Sequence, residues 1–337
     1  MTEDIDFVVT WVDSSDPDWM AQYTKYRGTR HSEDDARYRN WDLFKFWFRA
    51  VEEYAPWVHR VFLVTSGHYP KWLNLNNPKI VLVKHEDYIP TKYLPTFNSR
   101  CIELNFGRIQ GLSEHFVYFN DDMFLNAPIT PDYYFRHGLP CDSPAENIMN
   151  ATRYSPKDFF GISISVFCNV AVLNSHFNRK DVVKASILRW LGPHLSLKQN
   201  LYSIMMMHSE LFQGFDLHHT EQPYLKQTFR EIWDAESFFL DKSCTRFRQD
   251  VSLTPYFARY WQLASNNFSP VKLSACKDYS VTEQTIDRVI ASIFNKRIKS
   301  LCINDSPDCS KEFYLQSSKR IYDAFSRKFP QKSSFEI

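Results

Sequence analysis

The stretch His115–Asn126, HFVYFNDDMFLN, contains the pattern that decides the fold of this 337-residue chain. Its first half is aromatic and β-branched, which is the composition of a buried strand. Asn120, Asp121 and Asp122 follow directly, and apolar residues resume after them. Two carboxylates at the end of a buried strand need an explanation, because ionised groups are costly to bury.

Strand and helix patterns alternate in the residues before this strand. Apolar, β-branched runs occur at residues 5–12, 59–65 and 79–84. The spacing of apolar residues predicts a helix over 41–54 and a second one after Pro95. This order predicts an α/β fold with an open, mostly parallel sheet covered by helices, a Rossmann-like or GT-A-like core. Ligands of such sheets bind at the carboxyl ends of the strands, where the acidic tip lies.

The chain divides into three parts by pattern. Residues 1–175 predict the α/β core. Residues 176–280 predict a mainly helical lobe, because RKDVVKASILRWLG and NLYSIMMMHSELF read as short amphipathic helices. Residues 281–337 predict a return to the core through a helix, a short strand SLCIN and a final helix near 311–328.

Charge balance, cysteine spacing and apolar stretches disfavour several classes of protein. Lys and Arg number 40 against 39 Asp and Glu, and this balance disfavours a nucleic-acid binder. Seven cysteines without CxxC spacing indicate a reduced, cytoplasmic chain. The acidic N-terminus does not resemble a signal peptide, and no stretch approaches the roughly 20 apolar residues that span a bilayer. We therefore expect at most peripheral association with a membrane, at the inner face of the plasma membrane.

Acidic residues recur at the ends of other predicted strands. Asp13 and Asp16 follow the first strand, and Asn304 and Asp305 follow SLCIN. Paired Asp residues in a loop are more often turn or cap residues, but their position after apolar strands favours a divalent cation. Mg²⁺ and Mn²⁺ take oxygen ligands, often completed by phosphate. We expect Asp121, Asn304 and Asp305 to hold Mg²⁺ or Mn²⁺.

Two polar motifs in the predicted lobe each allow two interpretations. HHTEQP places His218 and His219 together, as a solvated turn or as a general base. TRFRQD places Arg246 and Arg248 on alternate positions, as a surface patch or as a clamp on a phosphoryl group.

Four stretches together resemble the Stealth family, which includes bacterial capsular-polysaccharide phosphotransferases and the animal N-acetylglucosamine-1-phosphotransferase α/β subunit. They span nearly the whole chain and correspond to the four conserved regions of the family. The matching stretches are IDFVVTWVDSSDP, RNWDLFKFWFRAVEEYAPWVHRVFLVTSGHYPKWLN, HEDYIPTKYLPTFNSRCIELNFGRIQGLSEHFVYFNDDMFL and SLCINDS with the later FPQKSSFE.

The resemblance implies transfer of a hexose-1-phosphate or N-acetylhexosamine-1-phosphate from a UDP-sugar to a sugar hydroxyl of a capsular or cell-surface polysaccharide. The product is a phosphodiester, and UMP leaves. The resemblance matches functional positions of the family to Asp16, Glu103, Asp122, Arg248 and His219. Of these we expect Glu103, Asp122, His219 and Arg248 to act in catalysis. We expect substrate contacts from Asp13, Asp16, Arg49, Asn98 and Asn120. The division of roles between Asp121 and Asp122, and between His218 and His219, stays open.

Two other functions compete with this one. A metal-dependent glycosyltransferase would use the same donor and release UDP instead of UMP. A carbohydrate-binding protein without catalysis would need neither three acidic tips nor Arg248, which disfavours it. No pattern identifies the sugar, the acceptor hydroxyl, or whether the oligosaccharide or polysaccharide acceptor is lipid-linked or free.

Overall fold

The computed structural model describes residues 3–30, 39–147, 162–306 and 309–337. Its central feature is a five-stranded sheet. In chain order the strands are β1 (Ile5–Thr10), β2 (Val61–Thr65), β3 (Ile80–Lys84), β4 (His115–Phe119) and β8 (Gln222–Leu225). Their spatial order is β3-β2-β1-β4-β8, with β8 antiparallel to β4 and the other pairs parallel. The predicted α/β fold with a mostly parallel sheet is confirmed.

Two smaller sheets extend this core. One joins β5 (Met123–Leu125), β10 (Cys276–Ser280) and β11 (Ser300–Asn304), and the other joins β6 (Phe135–Arg136), β7 (Leu139–Asp142) and β9 (Ser269–Pro270). In the first, Met123 pairs with Cys302 across antiparallel strands. Because β5 follows β4 after a short turn, this pairing brings the SLCIN strand beside Asp122.

Helices cover both faces of the central sheet. They are α1 (Pro17–Arg27), α2 (Phe44–Tyr54), α3 (Ser99–Leu104), α4 (Ile162–His176), α5 (Arg179–Ala185), α6 (Ile187–Trp190), α7 (Leu197–Met205), α8 (Lys226–Ala235), α9 (Ser237–Ser243), α10 (Tyr256–Ala264), α11 (Ile286–Ile293) and α12 (Lys311–Lys328). The alternation of β1 separates two cores: Phe7 and Val9 pack with α2, α11 and α12, whereas Val8 packs with α3, α4, α8 and α10.

Two helices differ from the pattern predicted for them. The helix after Pro95 ends at Leu104, and a 3₁₀ turn over Phe106–Arg108 replaces its second half. A Cβ on Gly107 would lie 2.5 Å from the Cβ of Phe229, so this turn packs against α8 more closely than any side chain allows. Helix α1 was not predicted, although Asp16 caps it and Pro17 occupies its first turn.

The predicted lobe is mainly helical but is not separate from the sheet. Residues 176–280 contain α5 to α10, and also β8, which forms an edge of the central sheet. The last part follows its predicted order, with α11, β11 and α12. Among the described residues, no helix combines the length and the apolar character that crossing a membrane requires.

Candidate active site

The tip of β4 is the centre of the site. Asp122 is half-buried, and its Oδ1 atom is buried without a hydrogen-bond partner. Its Oδ2 atom lies 4.0 Å from Nε2 of His219, which precedes β8. Cys302 on β11 completes the group, whose potential ligand atoms all lie within 4.8 Å of one another. Three segments that are distant in sequence therefore converge on one carboxylate.

The ionised forms of Asp121 and Asp122 are both disfavoured at this tip. Desolvation raises the pKa of the Asp122 carboxyl, and the nearby His219 and a hydrogen bond with Cys302 oppose that rise. Solvent reaches Asp121, yet desolvation and then the charge of Asp122 raise the pKa of Asp121 to about 7. A cation would offset the cost of ionising both neighbours. Both side chains are oxygen donors of the kind that Mg²⁺ and Mn²⁺ prefer, and a metal role for them stays a prediction.

None of the three predicted metal ligands, Asp121, Asn304 and Asp305, belongs to the group of Asp122, His219 and Cys302. The carboxylate of Asp305 accepts two hydrogen bonds from Nη1 of Arg39, at 3.2 and 3.4 Å. Asn304 ends β11 and pairs with Ser280. Among the described residues, the group that is close enough to hold an ion contains Cys302 instead, whose thiol is a softer donor than Mg²⁺ prefers. A metal role for Asn304 and Asp305 stays a prediction.

A chain of contacts connects Arg248 to the tip. Its Nη2 donates to the hydroxyl of Ser99 at 2.6 Å. Glu103 is buried beside Ser99 and Tyr118. Desolvation raises its pKa, and the nearby guanidinium of Arg248 opposes that rise. The hydroxyl of Tyr118 donates in turn to Oδ1 of Asn120. The structure thus brings Glu103, Asn120 and Arg248 into one network.

Asn98 holds the segment before Arg248. It caps α3 by accepting from the Arg100 amide, and it is fully buried. Its amide nitrogen donates to the carbonyl oxygens of Ser243 and Thr245, at 3.3 and 3.2 Å. The side chain therefore fixes the TRFRQD segment against α3, whereas its predicted contact with substrate stays a prediction.

The loops after β1 and β2 form a second polar group at the same edge of the sheet. Asp16 accepts from the backbone amide of Trp19 at the start of α1. The backbone amide of Asp13 donates to Nε2 of His68 at 2.8 Å. Desolvation lowers the pKa of His68, and it lowers that of the neighbouring His85 to about 4. This edge therefore offers neutral imidazoles beside two carboxylates.

The partners found for Arg49 and His218 are not residues of the β4 tip. The guanidinium of Arg49 binds Glu336 at 2.6 Å and the carbonyl of Phe329 at 2.7 Å, which ties α2 to the C-terminal residues. The pKa of His218 is lowered by desolvation and then by Arg259. Of the two adjacent histidines, His219 is the one whose Nε2 lies 4.0 Å from the carboxylate of Asp122.

Family models match two parts of the chain. Conserved region 1 of the Stealth proteins matches residues 3–30, and conserved region 2 matches residues 37–141. Similar proteins span the full length. The chain is 36% identical to the capsular polysaccharide phosphotransferase WcwK of Streptococcus pneumoniae, over 100% of both chains. It is 37% identical to the exopolysaccharide phosphotransferase cps2G of Lactiplantibacillus plantarum, over 99% of this chain and 96% of that one.

The chain belongs to the Stealth family. A third Stealth relative, the receptor polysaccharide phosphotransferase WefC of Streptococcus oralis, is 36% identical over 99% of each chain. The protein is accordingly an enzyme that transfers phosphorus-containing groups. The prediction that the second and third stretches are separate conserved regions was wrong, because conserved region 2 contains both, and with them Glu103 and Asp122. His219 and Arg248 lie outside the two matched regions.

Sequence reasoning missed several residues of this Stealth site. Cys302, Ser99 and Tyr118 gave no separate signal, because each is a small or apolar residue inside a strand or helix pattern. His68 and His85 were detectable, since each follows a predicted strand as Asp121 does. The rule that ligands bind at strand ends applies to any polar side chain there, not only to carboxylates.

Proposed function

We propose that this Stealth protein is a polysaccharide phosphotransferase that transfers a sugar-1-phosphate from a UDP-sugar to a sugar hydroxyl and releases UMP. The observation that supports this most directly is the meeting of Asp122 and His219 at the carboxyl edge of the sheet. The printed names of three full-length relatives support the polysaccharide acceptor.

The reaction forms one phosphorus–oxygen bond and breaks another. The acceptor hydroxyl oxygen attacks the phosphorus that bears the sugar, and the bond from that phosphorus to the bridging oxygen breaks. UMP leaves with the bridging oxygen. His219 takes the hydroxyl proton, and the carboxylate of Asp122, 4.0 Å away, stabilises the imidazolium that forms.

Negative charge on the diphosphate needs fixed positive partners. Arg248 supplies planar N–H donors to the transferred phosphoryl group, and Glu103 and Ser99 orient that guanidinium. Asp121 and Asp122 would hold Mg²⁺ or Mn²⁺, which neutralises diphosphate charge when bound. Asp13 and Asp16, at the same edge of the sheet, are proposed to contact the donor.

The proposed location is the cytoplasm, where UDP-sugars are available. Seven free cysteines agree with a reducing compartment. The acceptor is an oligosaccharide or polysaccharide, lipid-linked or free.

A donor panel tests the proposed reaction. The protein is incubated with several UDP-sugars, an oligosaccharide acceptor and Mg²⁺ or Mn²⁺, and UMP and UDP are quantified separately. The proposal expects acceptor-dependent UMP and its loss in EDTA. Acceptor-dependent UDP without UMP would establish glycosyl transfer instead. Full turnover in EDTA would remove the cation from the proposal.

A further inference from the structure

Helix α7 presents an apolar face to solvent. Leu197, Leu201, Ile204 and Met205 recur at helical spacing on one side of it. Their side chains are between 51% and 78% exposed. A surface helix of a globular protein normally buries such a face.

The opposite face of α7 is polar and points inward. Nε2 of Gln199 donates to Oδ2 of Asp216 at 2.8 Å, and Nδ2 of Asn200 donates to the carbonyl of Gly192 at 2.9 Å. Ser203 is 2% exposed. The fold therefore anchors this helix by hydrogen bonds, and leaves more than half of each of these apolar side chains exposed.

The apolar surface continues beyond α7. The α6–α7 patch consists of Ile187, Leu188, Leu197, Leu201, Ile204, Met205 and Leu211. It holds seven of the 19 large apolar side chains that are exposed among the described residues, within 25 consecutive positions. The bond from Asn200 to Gly192 holds the loop after α6 against α7. A cluster of exposed apolar side chains of this kind is typical of an interaction site.

The stretch of chain that carries the patch has a net positive charge, and Asp216 lies on the inward side of α7, where it accepts from Gln199. Lys180, Lys184, Arg189 and Lys198 lie in the same stretch of chain, which contains only Asp181 and Glu210 as acidic residues. Lys184 and Lys198 are exposed. Apolar side chains flanked by lysines fit the boundary of an anionic bilayer, where the apolar groups enter the acyl region and the ammonium groups meet headgroups.

We propose that the α6–α7 patch docks the protein peripherally on an anionic phospholipid surface. The patch offers Leu, Ile and Met side chains to the acyl region, and the exposed Lys184 and Lys198 beside it offer ammonium groups to anionic headgroups. This composition favours lipid over a protein partner. The proposal does not depend on the reaction that the enzyme performs.

Vesicle co-sedimentation tests the proposal. The wild-type protein is centrifuged with vesicles of phosphatidylcholine alone and of phosphatidylcholine mixed with phosphatidylglycerol. It should bind the mixed vesicles more strongly. Leu197→Ser/Leu201→Ser/Ile204→Ser should weaken this binding at least about tenfold, because three apolar side chains no longer enter the bilayer. The control Val251→Ser/Leu315→Ser changes side chains that are 71% and 58% exposed elsewhere, and should bind like the wild type.

A charge variant and a fold control complete the experiment. Lys198→Glu should weaken binding to the mixed vesicles and leave binding to neutral ones unchanged. The thermal midpoints of all variants should match the wild type, because the changed side chains are exposed. The proposal would be overturned if the wild type bound neither kind of vesicle, or if the triple variant bound the mixed vesicles as strongly as the wild type. Self-association that the triple variant abolishes would also overturn it, and would make the patch an interface between copies.

Discussion

Two acidic tips follow buried strands in this enzyme, and their surroundings differ. After β11, Asp305 pairs with Arg39 at 3.2 Å, and both side chains are less than 10% exposed. After β4, Asp122 has one buried oxygen without a partner, and the nearest basic group found for it is His219 at 4.0 Å. The same local pattern thus gives a neutralised carboxylate at one tip and an available one at the other. The partner, which comes from distant sequence, decides between structure and function.

The largest expected effect is that of Asp122→Asn. Turnover should fall about 10³-fold, because the variant removes the charge that supports His219 and the cation. Stability should stay the same or rise, since a desolvated carboxylate is removed. Turnover is measured with saturating donor, and unfolding is followed in urea. A folded variant with near-wild-type turnover would contradict the role of Asp122.

Asp305→Asn should lower stability rather than turnover. It leaves the Arg39 guanidinium buried without its charged partner, so the free energy of unfolding should fall by about 3 kcal/mol. The control Asp287→Asn breaks a solvent-exposed pair with Arg320 and should cost less than about 1 kcal/mol. Urea unfolding measures both. Unchanged stability with lost turnover would instead place Asp305 in the reaction, as its predicted metal role requires.

Arg248→Lys tests the cationic side of the available tip. Turnover should fall about 10²-fold, because a lysine ammonium cannot reproduce the planar donors of a guanidinium. Arg246→Lys is the matched control, two residues away. The guanidinium of Arg246 donates to the carbonyl of Pro95, and its replacement should leave turnover within a few-fold of the wild type. Equal losses in the two variants would show a structural effect on the whole segment.

Glu221→Gln tests a buried carboxylate near the tip that accepts hydrogen bonds from two hydroxyl groups. Desolvation raises the pKa of Glu221 from its usual 4.5 to about 7, and Tyr134 and Ser300 donate to it. Ionising it therefore costs folding free energy, increasingly from pH 4.5 to 7 and fully above 7. The variant should be more stable than the wild type by about 3 kcal/mol at pH 8 and about equal to it at pH 4.5. Thermal unfolding at both pH values measures this, and a pH-independent difference would contradict it.

The fold was predictable where one local pattern acted alone. The strands of the parallel sheet and helix α2 follow from apolar spacing and flanking residues. The helix after Pro95 was predicted too long, because its apolar spacing continued to Leu112 while the contact of Gly107 with Phe229 required a tighter turn. The edge strand β8 was hidden in a helical region, since four residues with a proline give a weak strand signal.

The site was predictable in position and only partly in composition. Its place at the carboxyl edge followed from strand order, and the structure brings Asp122 and His219 together there. No local pattern could place Cys302 beside them, because this depends on antiparallel pairing between β5 and β11. Nor could it show that Arg39 would neutralise Asp305, since that ion pair joins residues 266 positions apart.

Isotopic tracing of the transferred phosphorus tests the central claim most directly. A UDP-sugar labelled with ³²P at the phosphorus that bears the sugar is incubated with the enzyme, acceptor and Mg²⁺ or Mn²⁺. Phosphoryl transfer at the Asp122 tip predicts label in the saccharide product and unlabelled UMP, both lost in Asp122→Asn. Label that remains entirely in UDP while the acceptor gains sugar would contradict the account.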